Sequence, residues 1–167
     1  FEKLCSGSYL GELVRVVLVS LAEQNLLFRG YVPEVLSKPN SFLTKYITET
    51  ERDPPHLFYS TQYMLSEDLK VPVAETLDFR IVRYVCELVS TRASYLIGTG
   101  ISAVLHNLGR EKVTVGIDGS LYKFHPKFRE RMTDIIHEQK PAGTRFHLRL
   151  SEDGSGKGAA AIVAAAI

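Results

Sequence analysis

The chain has 167 residues, of which 45% are hydrophobic and 23% charged, a balance typical of a folded domain that can bury a core. Twenty Lys and Arg offset nineteen Asp and Glu, so the formal charge of +1 predicts attraction to neither nucleic acid nor a membrane surface. No apolar run reaches the roughly 18 residues that span a bilayer, there is no signal peptide pattern, and Cys5 and Cys86 do not make a disulfide framework. These features together favour a cytosolic protein with two reduced, buried cysteines.

The first half of the chain is predicted to be helical. Apolar residues recur every three or four positions over residues 8–25, which indicates one amphipathic helix. A short helix is predicted over residues 42–48 with Ser41 as its N-cap, and it should end at Asp53-Pro54-Pro55 because proline disfavours helix in the residue before it. Another short helix is predicted over residues 56–67.

A long helix is predicted next, after an extended segment at residues 71–73. Asp78 could cap it, and its apolar pattern repeats at three and four as far as Leu108. The small residues of Gly98-Thr99-Gly100 would then permit close packing of another helix.

The last third alternates strands and helices. Strands are predicted over residues 112–117 and 144–150, with a helix between them over residues 125–139 that has Pro126 at its first position. A final apolar helix should follow the turn at residues 151–156 and continue to residue 167. This order predicts a right-handed parallel βαβ unit in a helix-rich α/β fold. The missing initial methionine and the uncapped last helix suggest part of a larger chain.

Asp118-Gly119-Ser120, at the end of the first predicted strand, is the strongest candidate for a site. A strand that delivers these residues to a turn brings a carboxylate, free backbone N–H groups and a hydroxyl to one sheet edge, which suits a phosphate or a nucleotide. The alternative is an ordinary turn.

Other candidate motifs have structural explanations. Gly154-Ser155-Gly156-Lys157-Gly158 lacks the spacing of a P-loop and is interpreted as a strand-to-helix turn, with a nucleotide near the helix N-terminus as the alternative. The five histidines do not pair at metal-ligand spacing, so no metal site is predicted. Glu2 lies at a predicted helix start, where its negative charge interacts favourably with the helix dipole.

Five ordered blocks of the sequence resemble eukaryotic hexokinases, and the likeness spans essentially the whole chain. The first block is the Phe-Glu-Lys-x-x-x-Gly-x-Tyr-x-Gly-Glu-x-x-Arg pattern of residues 1–15. The others are Asn25-Leu26-Leu27-Phe28-Arg29-Gly30, Ile81-Val82-Arg83 with Ser90-Thr91-Arg92-Ala93, the run from Val115 to Pro126 around Asp118-Gly119-Ser120, and the run from Ser151 to Ala160.

The resemblance implies the actin-like, ribonuclease-H-like ATPase fold, with residues 1–167 as the C-terminal part of the large lobe. It implies transfer of the γ-phosphoryl group of Mg²⁺-ATP to the 6-hydroxyl of D-glucose or a related hexose, with the metal held mainly through the nucleotide. Glu2 matches a glutamate that accepts hydrogen bonds from sugar hydroxyls. The remaining matches are to nucleotide-binding residues, which are Gly7, Ser8, Thr44, Thr48, Asp118, Gly119, Ser120 and Phe124.

The resemblance also locates the family's catalytic aspartate, its Ser-Thr-Lys sugar loop and its first phosphate loop before Phe1. Phosphoryl transfer needs a residue that orients the hydroxyl, so this segment is expected to be inactive without the rest of the hexokinase chain. Ser8 stands where relatives commonly have a longer side chain, which favours a backbone contact there. One alternative function is a catalytically silent sugar or nucleotide sensor. A second is an actin-like ATPase without sugar specificity, which the pattern of residues 1–15 disfavours.

Overall fold

The computed structural model describes residues 1–72 and 74–165, so Val73 of the predicted extended segment and the last two residues of the predicted final helix lie outside the described residues. The first part contains α1 (Glu2–Cys5), α2 (Gly7–Glu23), a 3₁₀ turn (Phe28–Gly30), α3 (Glu34–Ser37), α4 (Thr44–Arg52) and α5 (Tyr59–Tyr63), which continues into a π-turn (Met64–Asp68). The second part contains α6 (Thr76–Leu108), β1 (Lys112–Ile117), α7 (Ser120–Phe124), α8 (Phe128–Gln139), β2 (Arg145–Leu150) and α9 (Gly154–Ala165).

Helix α2 forms where the apolar periodicity predicts it. The Ser6 side chain accepts a hydrogen bond from the backbone N–H of Ser8 and caps the first turn. Leu10, Val14 and Leu18 lie on one face and are buried against α4 and α6.

Helix α4 begins at Thr44, later than predicted, and Ser41 is not its N-cap. Phe42 lies between Ser41 and the helix and is buried in the core, so the chain enters the core in a non-helical conformation before α4 begins. The predicted stop is confirmed, because α4 ends at Arg52, directly before Asp53-Pro54-Pro55.

The long helix α6 is confirmed, but Asp78 is not its N-cap. Glu75 holds that position, and Asp78 completes a capping box by accepting from the backbone N–H of Glu75 at 2.8 Å. The same carboxylate accepts from the backbone N–H of Phe28 at 3.0 Å and so joins the 3₁₀ turn to α6. Helix α6 ends at Leu108, and Gly109 follows as its C-cap with a left-handed φ of 59° that suits glycine.

Helix α6 passes through Gly98-Thr99-Gly100 without interruption. A Cβ atom at Gly98 would lie 2.9 Å from the carbonyl oxygen of Met132, so the absence of a side chain lets α8 approach α6 closely. The prediction that small residues serve helix packing is confirmed for Gly98, whereas a Cβ atom at Gly100 would lie 3.2 Å from the ring of Phe1.

Among the described residues, α6 alone is long and apolar enough to cross a membrane by length and composition. Helix α6 meets this criterion through its mean hydropathy, because polar residues divide its apolar sequence and no uninterrupted apolar run in it reaches about 18 residues. It contacts α1, α2, α4, α5 and α8, which is the arrangement of a core helix.

The parallel connection between β1 and β2 is confirmed, with register from Lys112 opposite Arg145 to Ile117 opposite Leu150. Two helices lie in the connection, not one. Helix α7 was not predicted, and α8 begins at Phe128, so Pro126 is not at its first position. His125 has extended backbone angles, as expected of a residue before proline, and therefore separates the two helices.

The residues Gly154-Ser155-Gly156-Lys157-Gly158 form the first part of α9, so the prediction of a turn there is wrong. Lys157 folds back so that its Nζ donates to the carbonyl oxygen of Glu152 at 2.6 Å. Every described residue of α9 after Gly154 is exposed.

Candidate functional site

The carboxyl end of β1 leads directly into the predicted nucleotide turn. Asp118 accepts a hydrogen bond from the backbone N–H of Gly154 at 3.0 Å, so one of its carboxylate oxygens is used to hold the start of α9. Gly119 precedes α7 as its N-cap, and a Cβ atom there would meet no atom of the described residues within 4 Å. The edge formed by Gly119 and Ser120 is therefore open to a ligand.

Two neighbouring cavities meet at this edge. The first, of about 330 Å³, lies between α4 and α7 and is called here the α4 cavity. The second, of about 500 Å³, lies where β1 ends and is called the β1 cavity. Gly7, Ser120 and Leu121 line both of them.

All the residues that the resemblance assigned to the nucleotide line one or both cavities. Thr44, Thr48 and Phe124 line the α4 cavity, while Ser8 and the pair Asp118-Gly119 line the β1 cavity, and the shared residues Gly7 and Ser120 complete the set. The fold thus brings together segments from α2, α4 and the β1–α7 connection that are far apart in sequence.

Thr44 connects two walls of the α4 cavity. Its hydroxyl donates to the carbonyl oxygen of Gly7 and accepts from the backbone N–H of Gly11 at 3.1 Å, so it joins the start of α4 to the start of α2. Thr48 lies one helical turn further along the same face and is half-buried. Thr44 therefore has a structural role in addition to any contact with a ligand.

Three charged residues that line the α4 cavity were not predicted from the sequence. The face of α4 that carries Thr44 and Thr48 also carries Lys45, Glu49 and Arg52. Their spacing of three and four residues could have identified them from the sequence. The opposite wall has an apolar surface, because the ring of Phe124 is 55% exposed beside Leu121.

Arg52 also spans the exposed side of the α4 cavity. Its Nη2 donates to the carbonyl oxygen of Phe124 at 2.8 Å. This contact ties the last turn of α4 to the end of α7.

Glu2 lies apart from the two cavities. It occupies the first turn of α1, where its charge meets the helix dipole as predicted, and its side chain is exposed. Arg92 of α6 donates from Nη1 to the carbonyl oxygen of Leu4 at 2.9 Å and so holds α1 in place. Cys5 at the end of this short helix lines the β1 cavity, so Glu2 lies one helical turn from that cavity's edge.

The cysteines are free and buried, as predicted. Burial raises the pKa of Cys5 and of Cys86, so neither thiol is disposed to ionise as a nucleophile. Over residues 1–72 and 74–165, no group of three or more His, Cys, Asp or Glu side chains could hold a metal ion.

Comparisons with known proteins agree with this geometry. A family model described as "Hexokinase" matches residues 1–165. The chain is 63% identical over 164 residues to a hexokinase of Schistosoma mansoni, covering 98% of this chain and 36% of that relative. It is 39% identical over 173 residues to Hexokinase-1 of Rattus norvegicus, covering 100% of this chain and 18% of that protein.

A solved structure of the Schistosoma mansoni hexokinase complexed with glucose superimposes with a TM-score of 0.94 at 63% identity, covering 98% of this chain and 37% of that one. A second hexokinase crystal structure gives a TM-score of 0.80 at 28% identity. The chain therefore spans little more than a third of the length of each of these two structures and less than a fifth of the rat relative. The expectation of a partial actin-like ATPase fold is confirmed.

Proposed function

Since this chain belongs to the hexokinase family, we propose that it forms the C-terminal part of the large lobe of an ATP-dependent hexokinase. The enzyme would transfer the γ-phosphoryl group of Mg²⁺-ATP to the 6-hydroxyl of glucose or a related hexose. This segment would supply the nucleotide site and one contact to the sugar, and the rest of the hexokinase chain would supply the other groups.

One observation carries the proposal. The residues assigned to the nucleotide by resemblance converge on two cavities that meet at Gly119 and Ser120. The α4 cavity combines an apolar wall with threonine hydroxyls, which suits a purine and a ribose. The β1 cavity has backbone groups of a glycine turn and a serine hydroxyl, which suit phosphate oxygens.

The sugar contact rests on Glu2. A carboxylate accepts hydrogen bonds from two hydroxyls at once, and its charge strengthens both. Glu2 is exposed on a helix that Arg92 holds against α6, so its carboxylate is available from a fixed backbone. The relative whose structure was solved with glucose supports a hexose as the acceptor.

The residue that orients the 6-hydroxyl would come from the sequence that the resemblance locates before Phe1. We therefore expect this 167-residue chain by itself to phosphorylate no glucose, whereas the complete chain does so. A coupled assay of both proteins with Mg²⁺-ATP and glucose tests this. Turnover by the short chain would contradict it, and an inactive complete chain that still binds sugar would favour the sensor.

The nucleotide site is tested in the complete chain with Thr48→Val, which keeps the side-chain volume and removes the hydroxyl. We expect a several-fold higher KM for Mg²⁺-ATP and an unchanged KM for glucose. Thr133→Val is the matched control, because Thr133 is a threonine of α8 that is half-buried like Thr48 but lines neither cavity. An unchanged KM for Mg²⁺-ATP in Thr48→Val would remove Thr48 from the site.

A further inference from the structure

A buried cluster of charged and polar side chains lies behind the α4 cavity. The Glu51 side chain is 1% exposed and the His125 side chain 0%, while Arg131 is 13% exposed. Removing a carboxylate from water is costly unless it is paired and hydrogen-bonded, and hydrophobic residues often replace such clusters without loss of stability. Stability alone therefore does not explain this cluster.

Glu51 of α4 is at the centre of this cluster. Its Oε1 lies 3.1 Å from Nε2 of His125, and its Oε2 accepts from Nη2 of Arg131 at 2.9 Å. The Ser90 hydroxyl of α6 donates to the same carboxylate and accepts from Nη1 of Arg131 at 2.9 Å. Burial alone would raise the pKa of Glu51, but the hydrogen bonds from His125 and Ser90 outweigh it and lower the pKa.

The direction of the hydrogen bond follows from the carboxylate. An ionised carboxylate can only accept, so Nε2 of His125 donates to Oε1 of Glu51 across 3.1 Å. The other ring nitrogen, Nδ1, lies 3.3 Å from the backbone nitrogen of Lys127. The contact between the two residues is a directed hydrogen bond with one geometry.

This hydrogen bond joins the same two helices that enclose the α4 cavity. Glu51 precedes Arg52 in α4, and His125 follows Phe124 of α7. The pair Glu51–His125 therefore connects α4 to the end of α7 on the buried side, while the pair Arg52–Phe124 connects them on the exposed side. Helix α7 has only five residues, and the burial of Leu121 and Tyr122 holds it on the core. The two hydrogen bonds add direct connections from its end to α4.

We propose that the Glu51–His125 hydrogen bond sets the separation of α4 and α7 and thereby the affinity of the site for the nucleotide. Glu51 and His125 are positioning residues, since neither lines the α4 cavity or the β1 cavity. This inference rests on the proposed function, because it needs the α4 cavity to hold the adenosine of ATP.

Two variants of His125 test the inference in the complete chain. His125→Asn places an amide near the position of Nδ1 and is too short to reach Glu51, whereas His125→Gln places an amide donor near the position of Nε2. Both side chains are uncharged and polar. We expect His125→Asn to raise the KM for Mg²⁺-ATP about tenfold, while the KM for glucose changes less than about twofold. In His125→Gln the KM for Mg²⁺-ATP should stay close to that of the unmodified protein, because the amide donor can still reach Glu51.

Ser90→Ala separates positioning from stability. Ser90 bonds the same carboxylate from α6, which is not a wall of the α4 cavity. We expect this variant to melt at a lower temperature while both KM values stay as in the unmodified protein. His147→Ala, at an exposed position of β2, is the control for loss of a histidine.

Three results would overturn the inference while the unmodified enzyme still phosphorylates glucose. The first is an unchanged KM for Mg²⁺-ATP in His125→Asn, and the second is an equal rise in the KM for Mg²⁺-ATP and the KM for glucose in that variant. The third is a rise in the KM for Mg²⁺-ATP that is as large in His125→Gln as in His125→Asn. If His125→Asn does not fold, Glu51→Asp takes its place, because its carboxylate is one methylene shorter and is withdrawn from Nε2 of His125. This variant should raise the KM for Mg²⁺-ATP while Ser90→Ala leaves it unchanged, and an unaltered KM for Mg²⁺-ATP in Glu51→Asp would overturn the inference. An unmodified enzyme with no activity would instead refute the proposed function.

Discussion

Gly11 offers a direct test of how closely α2 and α4 approach each other. A Cβ atom at this position would lie 2.2 Å from the carbonyl oxygen of Phe42, 2.8 Å from the backbone nitrogen of Thr44 and 3.0 Å from the carbonyl carbon of Leu43. All three are backbone atoms that cannot rotate away. Ordinary contact distances are roughly 3.5 Å, so Gly11→Ala would push the helices apart by about 1 Å.

The free energy of unfolding follows from three contributions. Overpacking of this kind costs about 1–3 kcal/mol, and loss of the hydrogen bond from the Gly11 N–H to Thr44, now 3.1 Å long, costs about 1 kcal/mol. The higher helix propensity of alanine returns about 1 kcal/mol. We therefore expect Gly11→Ala to be about 2 kcal/mol less stable. Because unfolding entropy grows with chain length, this lowers the melting temperature by about 2 °C in a complete chain roughly three times as long as these 167 residues.

Differential scanning calorimetry of the complete chain measures this shift. Gly158→Ala is the matched control, because Gly158 is also helical and a Cβ atom there meets no atom within 4 Å among the described residues. It should melt at the unmodified temperature or slightly above it. If Gly11→Ala melts as high as Gly158→Ala, the close approach of α2 and α4 is refuted.

Three further changes test other contacts. Glu2→Ala should raise the KM for glucose at least about tenfold and leave the KM for Mg²⁺-ATP unchanged, and an unaltered glucose KM would remove Glu2 from the sugar site. Because the folded-state pKa of Glu51 is lowered, its ionisation stabilises the protein above the unfolded pKa of about 4.3 and this contribution is lost as pH falls further. The stability difference between the unmodified protein and Glu51→Gln, measured by thermal melts, should therefore shrink below about pH 4.3, and a difference independent of pH would contradict the lowered pKa. Thr44→Val removes the hydroxyl between Gly7 and Gly11 and should lower the unfolding free energy by about 1–3 kcal/mol in denaturant titrations; unchanged stability would be inconsistent with that bridge.

Elements with strong local patterns were predictable from the sequence. Strand β1 has the predicted bounds because its β-branched run is short and sharply delimited, and α6 follows from an apolar repeat sustained over many turns. Helix α7 has too few residues for a periodic pattern. The start of α4 depends on the burial of Phe42, which is a tertiary effect that Ser41 and its neighbours do not reveal.

The candidate site was only partly accessible from local sequence. Asp118-Gly119-Ser120 alone was compatible with a turn or with a phosphate site, and the resemblance to hexokinases decided between them. The hydrogen bond of Glu51 with His125 could not be predicted, because 74 positions separate the two residues and neither belongs to a motif. Pairs at such a distance become neighbours only through the packing of α4 against α6 and α8.

Helix α6 is uninterrupted, and this restricts the number of its residues as well as their types. Ser90 reaches the carboxylate of Glu51, and eight residues later Gly98 meets the backbone of α8. Each residue turns an α-helix by about 100°, so inserting or deleting one residue between these positions would rotate one contact surface away from its partner. Many side chains along this helix can therefore change, but the number of residues between the two contacts cannot.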